Sequence, residues 1–183
     1  ELEPGDPDVD LIAREAYLFA GSHIGGGSAG NPYLETEVGA LVAQVGNSTI
    51  HINELNDIEL MSVIAPSGVI DIMAGGDIII KGIVTTGTDA GTIYIKAGGR
   101  IYTEGDAPVT TSLLQGYANT GIFLITQVTT LDARVWGRGN LEIRETDSIV
   151  LRDVTNVNGP IHVIAGSTLT AVRVASLTDA KGD

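Results

Sequence analysis

Apolar and free positions alternate along most of this chain, and the alternation keeps returning to one nine-residue phrase. The phrase reads apolar-x-apolar-x-Ala-Gly-small-x-apolar. It occurs at Ala16–Ile24 (AYLFAGSHI), Ile70–Ile78 (IDIMAGGDI), Ile93–Ile101 (IYIKAGGRI) and Ile161–Leu169 (IHVIAGSTL). Apolar residues two apart share one face of a strand. The Ala-Gly-small step turns the chain where a larger side chain would collide, and the last apolar residue opens the next strand.

The spacing of these starts predicts the architecture. Ile50 to Ile70 and Ile58 to Ile78 are each 20 residues apart, and Ile70 to Ile93 and Ile78 to Ile101 are each 23. Leu141 to Ile161 and Ile149 to Leu169 return to 20. Strand starts that recur once per 20–23 residues, with two starts eight apart inside each period, predict an all-β parallel β-helix, or β-solenoid. Two or three short strands make each coil, and each pairs with its copies above and below. About nine such coils fit the chain, a rod of about 40 Å at the ~4.8 Å spacing of paired strands.

A longer repeat overlies the short one. Residues 36–87 align with 126–178 at an offset of 90, rising to 91 after one insertion. Thr36-Glu-Val38 matches Thr126-Gln-Val128, Ile50 matches Leu141, Glu54 matches Glu145, and Ala74-Gly75 matches Ala165-Gly166. The domain reading is therefore a linker over 1–8, a first super-repeat over 9–92 and a second over 93–183, in one continuous rod. The linker is acidic and Pro-rich, and the chain, lacking an initiator Met, reads as a piece of something longer.

Two stretches fit the alternation less well. Val9, Ile12, Ala13, Ala16 and Ala20 also have helical spacing, with Asp8 as an N-cap, but the phrase match favours a strand. Glu104–Asn119, with Pro108 and Tyr117, reads as a loop protruding from the rod, where binding is usually carried.

Composition sharpens this picture. The 183 residues hold 24 Gly, no Cys, two Phe and one Trp, so the core must be built from branched aliphatics, as narrow stacked strands require. The net charge of −13 argues against nucleic acid and anionic membrane as partners. Without Cys there are no disulfides or thiolate metal sites. No apolar run is long enough to insert in a membrane as a helix.

The Ala-Gly phrase, together with IHINELNDIELMSV around Glu54 and LEIRETDSIVLRDV around Glu145, resembles the filamentous-haemagglutinin-like repeats of giant bacterial surface exoproteins. The resemblance covers nearly the whole chain from Val9. It implies a secreted, right-handed parallel β-helix at the bacterial cell surface, acting as stalk, fibre or adhesive surface. It carries over no catalytic residues, and the secretion domain of that family is missing here.

Candidate chemistry is sparse. Calcium rolls need Gly-Gly-x-Gly-x-Asp nonapeptides, and Gly75-Gly76-Asp77 is the nearest approach. The expectation is no cofactor and no metal, with calcium among loop acids such as Asp89 and Asp106 as the alternative. The histidines His23, His51 and His162 lack metal-ligand spacing. Coil register puts His51, Asp71 and Tyr94 in one outward column, Glu142 beside His162 in another, and Lys81 below Glu104. Outward carboxylates on a β-helix can act in polysaccharide cleavage; a surface ladder of complementary neighbours is the plainer reading. Gly25-Gly-Gly27 and Gly137-Arg-Gly139 are not phosphate loops, since no Gly-Lys-Ser/Thr follows.

The functional expectation is a non-enzymatic structural segment of a secreted surface protein: a rigid stalk, adhesin or filament. Its partners would be neighbouring repeats, or identical subunits stacked end to end. The alternative is a polysaccharide-binding or -cleaving β-helix, with Tyr94, Tyr102, Tyr117 and Trp136 as sugar or partner contacts to cell-surface glycans.

Overall fold

In the computed structural model, residues 9–26 and 32–177 are described. The linker expected over 1–8, and most of the Gly25–Asn31 loop, lie outside them. The regular elements among the described residues are all strands. In chain order they begin with β1 (Leu11–Ala20), β2 (Leu34–Val45), β3 (Thr49–Glu54), β4 (Ile58–Ile64) and β5 (Val69–Ala74). Then come β6 (Ile78–Thr85), β7 (Thr92–Ala97), β8 (Arg100–Thr103), β9 (Val109–Ala118) and β10 (Gly121–Arg138). The last are β11 (Leu141–Glu145), β12 (Ile149–Asn158), β13 (Ile161–Ala165), β14 (Leu169–Ala171) and β15 (Val174–Ser176). The stretch with competing helical spacing is therefore strand β1, paired along its length with β2.

Every pairing is parallel, and the chain winds as a β-solenoid of about seven turns with about 20 residues per turn. Each turn passes through two stacks. The first contains β3, β5, β7, the second half of β9, the end of β10 and then β12. The second contains β4, β6 and β8, then the start of β10, β11 and β13. One inward column of the first stack runs Ile24, Ile50, Ile70, Ile93, Leu114, Leu131, Leu151, Ala171. One of the second runs Ile58, Ile78, Ile101, Ile122, Leu141, Ile161. Ile50, Ile70, Ile93, Ile58, Ile78 and Ile101 are fully buried, so the predicted aliphatic pile is the core.

Two expectations are corrected. The turns number about seven, not nine, because loops and the chain ends consume residues; Ile24 to Ile50 alone spans 26. At about 4.8 Å per rung the seven steps give about 34 Å. Second, Glu104–Asn119 is not a protruding loop. Only its first residues form a turn, and β9 is an internal strand between β7 and β10 with Thr111, Leu114 and Ala118 buried. The alternation is hidden there because Thr111 and Gly116 occupy inward positions that elsewhere hold aliphatics.

The stacking also explains the phrase. Ile70–Ile78 and Ile93–Ile101 carry the chain from the first stack to the second, whereas Ala16–Ile24 and Ile161–Leu169 carry it back. The phrase is a corner, not a face. At the glycine of three of its four copies the rungs approach too closely for a side chain: a Cβ on Gly75 would lie 2.1 Å from the Leu55 carbonyl oxygen, and one on Gly98 the same distance from that of Gly75, whereas one on Gly21 in the first copy would meet nothing within 4 Å.

Candidate functional site

Side chains on the outside of the first stack stand in register, one rung apart. His51 faces Asp71, and Asp71 faces Tyr94, as the spacing predicts. Tyr33 completes the group: its phenol donates to Asp71 Oδ2 at 2.8 Å, and its ring meets the His51 imidazole edge-on at 5.6 Å. His51 Nδ1 lies 3.5 Å from the same carboxylate oxygen. His51 Nδ1 and Asp71 Oδ1 are buried without a hydrogen-bond partner. Burial pushes the Tyr33 phenol up to about 12, with the bond to Asp71 and its charge adding to the shift. A phenol held protonated in this way is a poor base near neutral pH.

Further along the same face, Tyr94 and Tyr117 have ring centroids 5.4 Å apart, and Tyr117 stacks on Trp136 at 5.9 Å with the planes 17° apart. Burial raises the phenol pKa of both tyrosines, Asp71 adding at Tyr94 and Asp132 at Tyr117. Trp136 stays 38% exposed. Three of the four predicted contacts thus form one aromatic ladder. Tyr102 does not join them: it lies in the second stack, with the Arg100 guanidinium 5.1 Å above its ring. Its neighbour in register, Phe123, carries Arg144 in the same way.

The remaining outward residues are charge ladders. Lys81 bridges Glu59 at 2.7 Å and Glu104 at 3.6 Å, and Glu142 stands beside His162 in register while binding Arg144. Arg152 pairs with Asp132, and Arg173 with Asp153. Asp89 and Asp106 are exposed on separate turns, and among the described residues no three acidic or histidine groups come together as metal ligands.

The least foreseen chemistry is inside. Glu54 is 2% exposed and Glu145 4%. One oxygen of Glu54 accepts from the Thr36 hydroxyl at 2.8 Å and the Val38 amide at 2.9 Å; the other accepts from the Asn56 amide at 3.1 Å. Glu145 repeats this with Thr126 at 2.8 Å, Val128 at 3.0 Å and Asp147 at 3.2 Å. Each glutamate clasps the rung before it at a corner. The sequence signal was the repeat itself, since Thr-x-Val recurs at an offset of 90 and Glu at 91.

That offset is not a simple translation. From Ile50 the column returns after four turns at Leu131, and Leu141 lies half a turn beyond, in the other stack. Four and a half turns therefore relate the two glutamates, which hold alternate corners.

Fold and surface together define a parallel β-solenoid with an aliphatic core and laddered faces. Comparison with sequence-family profiles, curated proteins and solved structures finds no match.

Proposed function

We propose that this chain is a non-catalytic rod segment of a large secreted bacterial surface protein of the filamentous-haemagglutinin-like kind, in which it serves as stalk or adhesive scaffold. Its ends are covered by further rungs, supplied by neighbouring repeats or by identical subunits. The observation that carries this reading is the last rung. Leu169 is 42% and Val174 43% exposed, although they continue the inward columns of Ile149 at 2% and Val154 at 0%. Among the described residues no helix or crossing strand covers them. An open apolar cross-section with unpaired strand edges favours addition of more rungs, and contacts that do not close extend into fibres.

Sedimentation velocity over a concentration range tests the proposal. Growing, rod-like species are expected, and Leu169→Asp with Val174→Asp should abolish them. A compact monomer at every concentration would overturn the end-to-end stacking of identical subunits.

A further inference from the structure

Of the cations among the described residues, Lys81, Arg100, Arg144, Arg152 and Arg173 are paired with carboxylates, whereas Arg14, Lys96, Arg134 and Arg138 have neither an ion pair nor a side-chain hydrogen bond. Of these four, Lys96 and Arg134 stand in one outward column, with Tyr117 between them: Lys96 faces Tyr117, and Tyr117 faces Arg134. At about 4.8 Å per rung their stems are about 10 Å apart along the rod. Tyr117 is also the ring on which Trp136 stacks. Beside this column lies a hollow of about 520 Å³ lined by Asn53, Gly75, Lys96, Gly98, Asn119 and Trp136. It crosses the rungs of Asn53, Met73, Lys96, Asn119 and Trp136, a run of about 19 Å at the same spacing.

On a chain of net charge −13, two free cations in one column are a local exception, and they select an anionic ligand. The shape selects an extended one. A peptide adding as a strand is excluded, because β7 is already paired on both sides, with β5 and β9. What the groove offers instead is two side-chain amides, an indole and one ammonium, with the Arg134 guanidinium outside its lining on the column beside it. Those groups hydrogen-bond hydroxyls, pack against the apolar face of a sugar ring and pair with carboxylates.

We infer that this groove binds a strand of acidic polysaccharide, its carboxylates on Lys96 and Arg134 and a sugar ring against Trp136. The site is on the side of the rod, so it is independent of what covers the ends.

Trp136 is the only tryptophan, so its fluorescence reports directly on the groove. The full chain is titrated with oligogalacturonate, with a neutral galactan oligomer and with poly-glutamate. A saturable change in emission with oligogalacturonate is expected, weakened by salt, with little response to the galactan. Lys96→Ala and Arg134→Ala should each weaken binding about fivefold, as exposed charges do. Both residues are exposed, and unchanged circular dichroism confirms that the variants fold. No saturation with oligogalacturonate, affinity unchanged in the double variant, or equal binding of poly-glutamate would each overturn the assignment.

Discussion

Glu54 and Glu145 are the residues on which the corners depend. Each satisfies a hydroxyl and two amides at the edge of an otherwise apolar core. Glu54→Ala leaves the Thr36 hydroxyl and Val38 amide buried without an acceptor and should cost about 2–3 kcal/mol in urea denaturation. Glu54→Gln keeps one accepting oxygen and should cost about 1 kcal/mol. Glu145 adds a pH signature. Burial raises its pKa above the ordinary 4.5, outweighing the bonds from Thr126 and Val128. The folded chain then holds a proton that the unfolded chain has released, so the contribution to stability falls as pH rises from about 4.5 through the raised value. Glu145→Gln should flatten that slope relative to the parent chain when stability is measured across the window. The clasp was legible as a repeated motif, but not as a buried one, because the sequence does not say which side of a corner a glutamate faces.

At the scale of elements, two glycines make opposite predictions. Gly98 sits where a Cβ would lie 2.1 Å from a carbonyl oxygen of the adjacent rung, so Gly98→Ala must push rungs apart and should lose about 3 kcal/mol. Gly116 is an inward position of β9, in the column of Ile95 and Ala133, and an added Cβ there would meet only Ile122 Cδ1 at 3.8 Å. Gly116→Ala should therefore be tolerated, or raise stability by about 0.5–1 kcal/mol, read as a higher Tm. This same glycine concealed β9. With Thr111 it replaces two apolar residues of the alternation, and Thr111 is accommodated by a 2.7 Å hydroxyl pair with Thr86 that no local pattern announces. The regular strands were legible because their isoleucines are uninterrupted.

For the whole molecule, stability should be graded along the axis. Each rung touches only its neighbours, so a solenoid opens from its ends. Hydrogen exchange should protect the amides of Ile72 and Ile95 most and those of β13–β15 least. Uniform protection would mean that the last rung is itself covered, as a stacked copy of the chain would cover it.

The sequence alone determined the solenoid, its period and the aliphatic columns of its regular strands, though not the members that β9 contributes to them. Those follow from side-chain alternation and from a repeat length that parallel stacking must honour. It also determined which outward residues are neighbours along a column, as His51, Asp71 and Tyr94 show. Only the tertiary structure decided which columns share a face. It joined Tyr94, Tyr117 and Trp136 and placed Tyr102 on the other stack, and it turned the 90-residue repeat into a half-turn exchange of faces. Register along the axis is carried by spacing within the chain. Position around the axis depends on how many residues each corner consumes, and that is settled only when the corners pack.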